Sequence, residues 1–218
     1  IEDFNLDLHK GEIVGLTGLI GSGYDRVLYL AYGAAPAAKG TLTMDKARFD
    51  IARLSPGRAI DLGLVLVPAD RQRAAVSETL TVLENLTLPV LQKSPSAWFV
   101  SGRRLQSTAK TLVREFDVRP PDVSKVVRFL SGGNQQKVVL AKWFQVSPRL
   151  ILLDEPTQGV DVGAREHIFD IIRAAAKTNN SCVICASSDH EQLASICDRV
   201  IIFDRGRVIA SLAGQDVT

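Results

Sequence analysis

Three short stretches bring together the groups that phosphate chemistry needs. Gly18-Leu19-Ile20-Gly21-Ser22-Gly23 spaces three glycines around a serine. Glycine lets main-chain N–H groups approach a phosphate closely, in backbone conformations other residues avoid. Leu130-Ser131-Gly132-Gly133-Asn134-Gln135-Gln136-Lys137 sets a hydroxyl and two glycines directly before a polar helical pattern, the arrangement by which a helix start offers amides to an anion. Leu150-Ile151-Leu152-Leu153-Asp154-Glu155 ends an apolar run in two carboxylates, one suited to a divalent cation and one to orienting a water. Each stretch alone has a plainer reading: a strand-to-helix turn, a Ser N-cap with a Gly-Gly turn, acids that cap the next turn. Their occurrence together in one chain favours the phosphate reading.

These residues need rigid elements behind them. Near-continuous apolar runs at Ile13–Thr17, Leu64–Val67, Leu150–Leu153, Val183–Ala186 and Val200–Phe203 read as strands covered on both faces. Helical patterns fill Asp25–Tyr32, Leu80–Leu86, Gly133–Gln145, Ala164–Lys177 and Glu191–Ile196. This alternation predicts an α/β fold with a mostly parallel sheet. Gly40–Phe49 and Arg207–Ala210 read as peripheral antiparallel strands. From about Ser94 to Gln145 the chain is helix-patterned, carries Pro95, Pro120 and Pro121 and offers no strand candidate, so it reads as a helical insertion in the core. The chain opens on Ile1, inside what reads as a strand, which predicts a piece excised from a longer protein.

Composition excludes several classes. With 218 residues, 46% hydrophobic and 23% charged, the chain has enough apolar material for a large core. A net charge of +2 is too small to argue for nucleic acid or an anionic membrane surface. No apolar run approaches bilayer-spanning length. No signal peptide opens the chain, and the three cysteines (Cys182, Cys185, Cys197) suit a reducing compartment, so a cytosolic location is expected. Cys182 and Cys185, with His190 and Cys197 downstream, invite a zinc reading. Alternation along the expected strand would send the first two to opposite faces, which favours small buried hydrophobes instead.

The octet at Leu130–Lys137, followed by Val138, resembles the signature motif of ATP-binding cassette (ABC) ATPases, in the LSGGNQQKV form typical of sugar importers. The likeness runs from Phe4 to about Asp216. It implies a P-loop NTPase cassette fold, with a RecA-like core at residues 1–93 and 146–218 and a helical signature subdomain at about 94–145. It further implies ATP and Mg²⁺ as ligands. Gly18, Gly21, Ser22, Gly23, Tyr24 and Asp25 then occupy the Walker A loop. Asp154 takes the Walker B position that contacts Mg²⁺, with Asp25 a second carboxylate within its reach, and Glu155 takes the position of the general base. Ser131, Gly132, Gly133 and Gln135 become signature contacts to nucleotide. Pro156–Asp161 resembles the D-loop stretch, with Asp161 facing a partner cassette.

Three stretches depart from the family pattern. Walker A calls for Lys and Ser/Thr where this chain has Tyr24 and Asp25. The lysine would balance phosphate charge and the hydroxyl would hold Mg²⁺. A carboxylate about 4 Å from a phosphate, at an effective dielectric of ~20, is repelled by roughly 4 kcal/mol before screening. Losing a preorganised charge of this kind lowers rate by ~10²–10³. Ala69-Asp70-Arg71 stands where the family has a Mg²⁺-sensing glutamine; Asp70, Arg71 and Arg73 look typical of sugar importers, with a solvated loop as the plainer reading. The switch histidine falls at Ser188, which can do part of its work; His190, two residues on, reads as an exposed helix start.

The resemblance implies the second, carboxy-terminal ATPase half of a fused two-cassette sugar importer of the ribose, galactose or xylose type. The implied partners are the other ATPase half, membrane permease subunits and, indirectly, a periplasmic or extracellular sugar-binding protein, with no nucleic acid. The implied place is the cytoplasmic face of a bacterial inner membrane. Arg71 to about Leu91 would be the surface that meets the membrane subunit. A non-catalytic regulatory cassette is the alternative. A cassette protein of translation or repair is disfavoured by the NQQKV tail and the Pro-x-Asp-Arg segment.

Overall fold

The computed structural model describes residues 1–93 and 101–214. Pro95, the start of the expected helical insertion and the end of the likeness near Asp216 lie outside these residues. The chain divides into two compact units: Ile1–Leu66 with Pro148–Pro156 and Arg173–Thr218, and Val67–Ser147 with Thr157–Ile172. The helix-patterned stretch lies in the second unit, which also takes in residues 67–93.

The first unit is built on a six-stranded sheet. Its strands are β1 (Ile13–Gly18), β4 (Leu64–Val67), β5 (Leu150–Asp154), β6 (Cys182–Ala186), β7 (Arg199–Asp204) and β8 (Arg207–Ala213), in the order β4-β5-β6-β1-β7-β8. β5, β6, β1 and β7 pair in parallel, while β8 is antiparallel to β7. A separate hairpin joins β2 (Thr41–Met44) to β3 (Ala47–Asp50). The expected runs become strands because each is β-branched or aliphatic and buried on both faces; Leu16, Leu152 and Leu64 are sealed from solvent. Val27, Leu28 and Tyr32 of α1 (Arg26–Tyr32) and Ala59 of α2 (Pro56–Asp61) cover one side. Truncating any of these large core side chains to alanine costs about 2–5 kcal/mol.

Register decides what the sheet presents. Asp154 pairs with Ala186, and Ala186 with Leu16. The carboxyl ends of β5, β6 and β1 therefore lie in one row, where parallel α/β sheets carry their ligands.

The N-terminal segment corrects one expectation. Residues 1–10 form no strand; the first begins at Ile13. Phe4 packs its ring 5.2 Å from that of Phe203 without joining the sheet. The cysteines sit on separate sides of β6. Cys182 Sγ donates to His9 O at 3.4 Å, while Cys185 is buried on the side of Cys197. Burial drives the Cys185 thiol far up and the Cys197 thiol to about 12.

The second unit holds α3 (Arg71–Ala74), α4 (Val82–Lys93), α5 (Gly102–Glu115), α6 (Gly132–Phe144) and the first part of α7 (Val162–Asn179). A reciprocal capping box starts α4: Thr81 N donates to Glu84 Oε2 at 2.7 Å, and Glu84 N to Thr81 Oγ1 at 3.2 Å. The helix runs past the expected Leu86 and through Pro89. Gln145 Nε2 donates to Leu86 O at 2.6 Å, supplying a partner for a carbonyl in the disturbed turn. Phe116 meets Phe144 edge-on at 6.1 Å, tying the end of α5 to α6.

Candidate functional site

In the first unit, the loop after β1 is shaped by its glycines. A Cβ on Gly18 would lie 2.3 Å from Phe203 O, so only glycine fits there. Gly21 and Gly23 hold φ of 84° and 92°, where other residues are strained. Among the described residues, the amides of Gly21, Gly23, Tyr24 and Asp25 make no hydrogen bond. Four free main-chain donors on one short loop fit a phosphate. Ser22 departs from its expected ligand role: its side chain is buried, and its hydroxyl, sealed from solvent, has no partner among the described residues. What Ser22 contributes is its carbonyl, which accepts Gly206 N at 2.8 Å.

The side chains after the loop do not match its backbone. Tyr24 is 7% exposed. Its phenol is held above its ordinary pKa, first by burial, then by the carboxylates of Glu155, Asp25 and Asp154, while a hydrogen bond with Ser188 works the other way. The phenol thus lies among the acids. Asp25, before α1, is exposed and caps no amide with its side chain. The loop thus offers unbonded amides, with a tyrosine and an aspartate directly after its last glycine.

The acids at the strand ends are already engaged. Tyr29 Oη donates to Asp154 Oδ2 at 2.7 Å, and Asp154 is 7% exposed. Glu155 receives Ser187 Oγ at 2.8 Å on one oxygen and Ser188 N at 2.6 Å on the other. Ser187 is itself fixed, with its carbonyl accepting Thr17 Oγ1 at 2.8 Å and its amide donating to Leu16 O at 3.1 Å. Glu155 takes φ of 46°, a left-handed conformation that costs a non-glycine residue about 1–2 kcal/mol. That turn aims its carboxylate at β6, and nothing in composition or periodicity signals it. Among the described residues no three His, Cys, Asp or Glu side chains gather as a metal cage. A Mg²⁺ ion near Asp154 and Asp25 would take most of its ligands from phosphate oxygens and water. His190 opens α8 (His190–Ile196) and is exposed.

The second unit holds the other expected site residues. Ser131 stands exposed before α6, and its hydroxyl accepts Asn134 Nδ2 at 2.9 Å. Asn134 Oδ1 in turn accepts Arg119 N at 2.7 Å, so Asn134 holds the serine in place. The amides of Gly132, Gly133 and Asn134 have no partner among the described residues. Gln135 corrects its expected role. It is 4% exposed, and its Nε2 donates to Val127 O and Leu130 O at 3.3 Å each, bracing the turn from inside. Asp161 Oδ1 accepts Ala164 N at 2.9 Å, capping α7, and its side chain is exposed. Asp70 caps α3 through Arg73 N at 3.2 Å, while Arg71 turns inward and donates from Nη1 to Gln158 O at 2.7 Å. Charge alone, in a Pro-x-Asp-Arg string, does not separate the capping acid from the inward arginine.

Among the described residues no helix is long and apolar enough to cross a membrane. A family model described as ABC transporter matches residues 1–158. The chain is 36% identical over 211 residues to a ribose import ATP-binding protein of Burkholderia pseudomallei, covering 97% of this chain and 40% of that protein. It is 34% identical over 217 residues to an arabinose import ATP-binding protein of Burkholderia cenocepacia, covering 99% and 42%. It thus spans about two-fifths of the length of these relatives. A dimeric ATP-binding cassette in a post-hydrolysis state, bound to ADP and Pi, superposes with a TM-score of 0.81 over 96% of this chain and 88% of that one, at 23% identity. The fold is the cassette P-loop NTPase fold.

Proposed function

The chain belongs to the ABC transporter family, and on that premise we propose that it is the second ATPase half of a fused two-cassette sugar importer. In this reading its own Walker A loop is degenerate, and its signature turn completes the nucleotide site of the other half. Residues 1–93 and 146–218 serve as the RecA-like core and about 94–145 as the signature subdomain. The carbohydrate class comes from the relatives named for ribose and arabinose import. Permease subunits, a sugar-binding protein and a place on the inner face of a bacterial membrane come with it.

One observation carries the asymmetry. At the lysine position stands a buried tyrosine among carboxylates, whereas the signature turn keeps three unpartnered amides beside an exposed serine. The first arrangement lacks the charge that offsets a triphosphate; the second presents donors to one. Ser131 Oγ and the amides of Gly132 and Gly133 would contact the γ-phosphate carried by the other half, and Asp161 would face that half. When bound, Mg²⁺ neutralises charge between the phosphates. In this half Asp154 and Asp25 are the acids within its reach, and Glu155 would orient the water. Head-to-tail closure of the halves on ATP, and reopening after hydrolysis at the other half's site, would drive the membrane subunits.

A second reading, a non-catalytic regulatory cassette, is favoured by Glu155, both of whose oxygens accept hydrogen bonds from the Ser187–Ser188 stretch. Calorimetric titration of this chain with ATP and Mg²⁺, alongside phosphate release, tests the degenerate loop. Weak binding with little or no turnover is expected. Submicromolar affinity with steady release would overturn it.

A further inference from the structure

Arg71 takes no part in the proposed contacts to nucleotide, and its surroundings are unusual for a charged side chain. It opens α3, Nη1 donates to Gln158 O, and Nη2 lies 2.6 Å from where a Cβ on Gly132 would stand. The same Cβ would lie 2.8 Å from Gly159 O. Guanidinium, Gly132 and the Gly159 carbonyl therefore close on one another with no room for a methyl group. Gly133 is packed almost as tightly: a Cβ there would lie 3.1 Å from Ala164 Cβ and 3.3 Å from Val160 Cγ1. Arg71 Nε is sealed from solvent with no partner among the described residues. Burial lowers the Arg71 pKa, with the Asp70 carboxylate acting in the opposite direction. Asp70 is turned to Arg73, 3.6 Å from its Nε. Among the described residues Arg71 makes no carboxylate ion pair of its own.

Burying a cation without a carboxylate is unfavourable, and its planar fork is suited to holding backbone carbonyls in fixed geometry. We propose that Arg71 is a positioning residue that clamps the Gln158–Gly159 backbone onto the first turn of α6, so that the signature amides and the Asp161 side chain keep one fixed spacing. Gly132 is glycine because this clamp leaves no space for a side chain. The functional weight of the clamp rests on the proposed reading that this surface completes the other half's nucleotide site; the clamp itself does not.

The test uses the full two-cassette protein with its membrane subunits, as Arg71→Ala, Arg71→Lys and, for comparison, Arg53→Ala, whose side chain is 89% exposed. Two quantities are read: the kcat and KM of ATP hydrolysis, and hydrogen exchange at three bonded amides. Those amides are Val160 (to Thr157 O), Ala164 (to Asp161 Oδ1) and Gln135 (to Ser131 O). Arg71→Ala should speed exchange at all three together and lower kcat about tenfold with KM within about twofold, since small misplacements of reacting groups act mainly on the assembled site. Arg71→Lys should restore neither, because one ammonium cannot both bond Gln158 O and fill the place that Nη2 takes against Gly132, and it carries the same readouts should the alanine variant fail to fold. Arg53→Ala should leave exchange and kinetics unchanged. Unchanged exchange in Arg71→Ala, acceleration at Val160 alone, or full rescue by lysine would overturn the clamp. Faster exchange at all three amides with an unchanged kcat would uphold the clamp and overturn the composite-site reading instead.

Discussion

The phosphate loop of the first unit and the signature turn of the second use the same device, glycines that expose main-chain amides, and differ in what surrounds it. Around the loop, every named acid has a neighbour of its own: Tyr29 on Asp154, Ser187 and Ser188 on Glu155, the Tyr24 phenol among all three carboxylates. The residues that follow the last glycine, Tyr24 and Asp25, carry no positive charge. At the turn the positive group is in place, because Arg71 lies against Gly132, and the serine is held by Asn134 without being used up. The contrast teaches that a loop can keep its exposed amides while two of its side chains, Ser22 and Tyr24, turn inward. Shape and chemistry are therefore separable, and substitutions can address them one at a time.

The largest expected effect lies on the turn. Ser131→Arg in the full-length protein should lower steady-state phosphate release by about a hundredfold or more, in line with losing a preorganised donor and blocking the surface with a bulky cation. Activity within about threefold of the parent would break the contrast, since the turn would then not be the working side.

On the loop, Tyr24→Lys with Asp25→Thr should strengthen ATP binding by roughly tenfold or more, by removing one negative charge and adding a positive one. Calorimetry on this chain reads it. Equal affinity in variant and parent would mean that features outside residues 18–25 limit binding.

Gln135→Ala tests bracing rather than chemistry. It removes the Nε2 donor from Leu130 O and from Val127 O, the latter keeping Leu130 N at 3.0 Å, and should lower stability by about 1–3 kcal/mol in denaturant unfolding. Tyr29→Phe, its counterpart in the first unit, should cost about 1 kcal/mol, because Asp154 keeps other interactions. A larger loss for Tyr29→Phe would show the loop region to be the more rigidly built of the two.

The smallest effect expected is at the acid itself. Glu155→Gln should change full-length turnover by less than about twofold, since Glu155 serves the loop that lacks its cation. A loss as deep as that of Ser131→Arg would mean this half hydrolyses ATP at its own site.

The strands were legible because parallel strands buried on both faces leave unbroken apolar runs, and each expected run from Ile13 to Phe203 became one to within about two residues at either end. The N-terminal segment misled because Phe4, Leu6 and Leu8 alternate as a strand does, yet they only pack against the core from outside the sheet. At the site, glycine spacing announced both backbone cradles. What remained hidden was direction. Nothing in the order Asn134-Gln135 says that one amide faces the serine and the next faces inward; that depends on a helical phase of about 100° per residue and on which carbonyls lie below. Ser187 and Ser188 are alike in the same way: both reach Glu155, one through its hydroxyl and the other through its main-chain N–H, and residue type does not say which.

The thiols of buried Cys185 and half-buried Cys197 make the two units distinguishable in time. All three cysteines lie in the first unit, and thiol reagents attack only the thiolate, which burial suppresses at Cys185 and Cys197. In the native chain these two sulfurs stay chemically silent until the sheet around them opens. Their labelling rate is then a clock for opening of the first unit alone, while the second unit, which has no cysteine, contributes nothing to the signal.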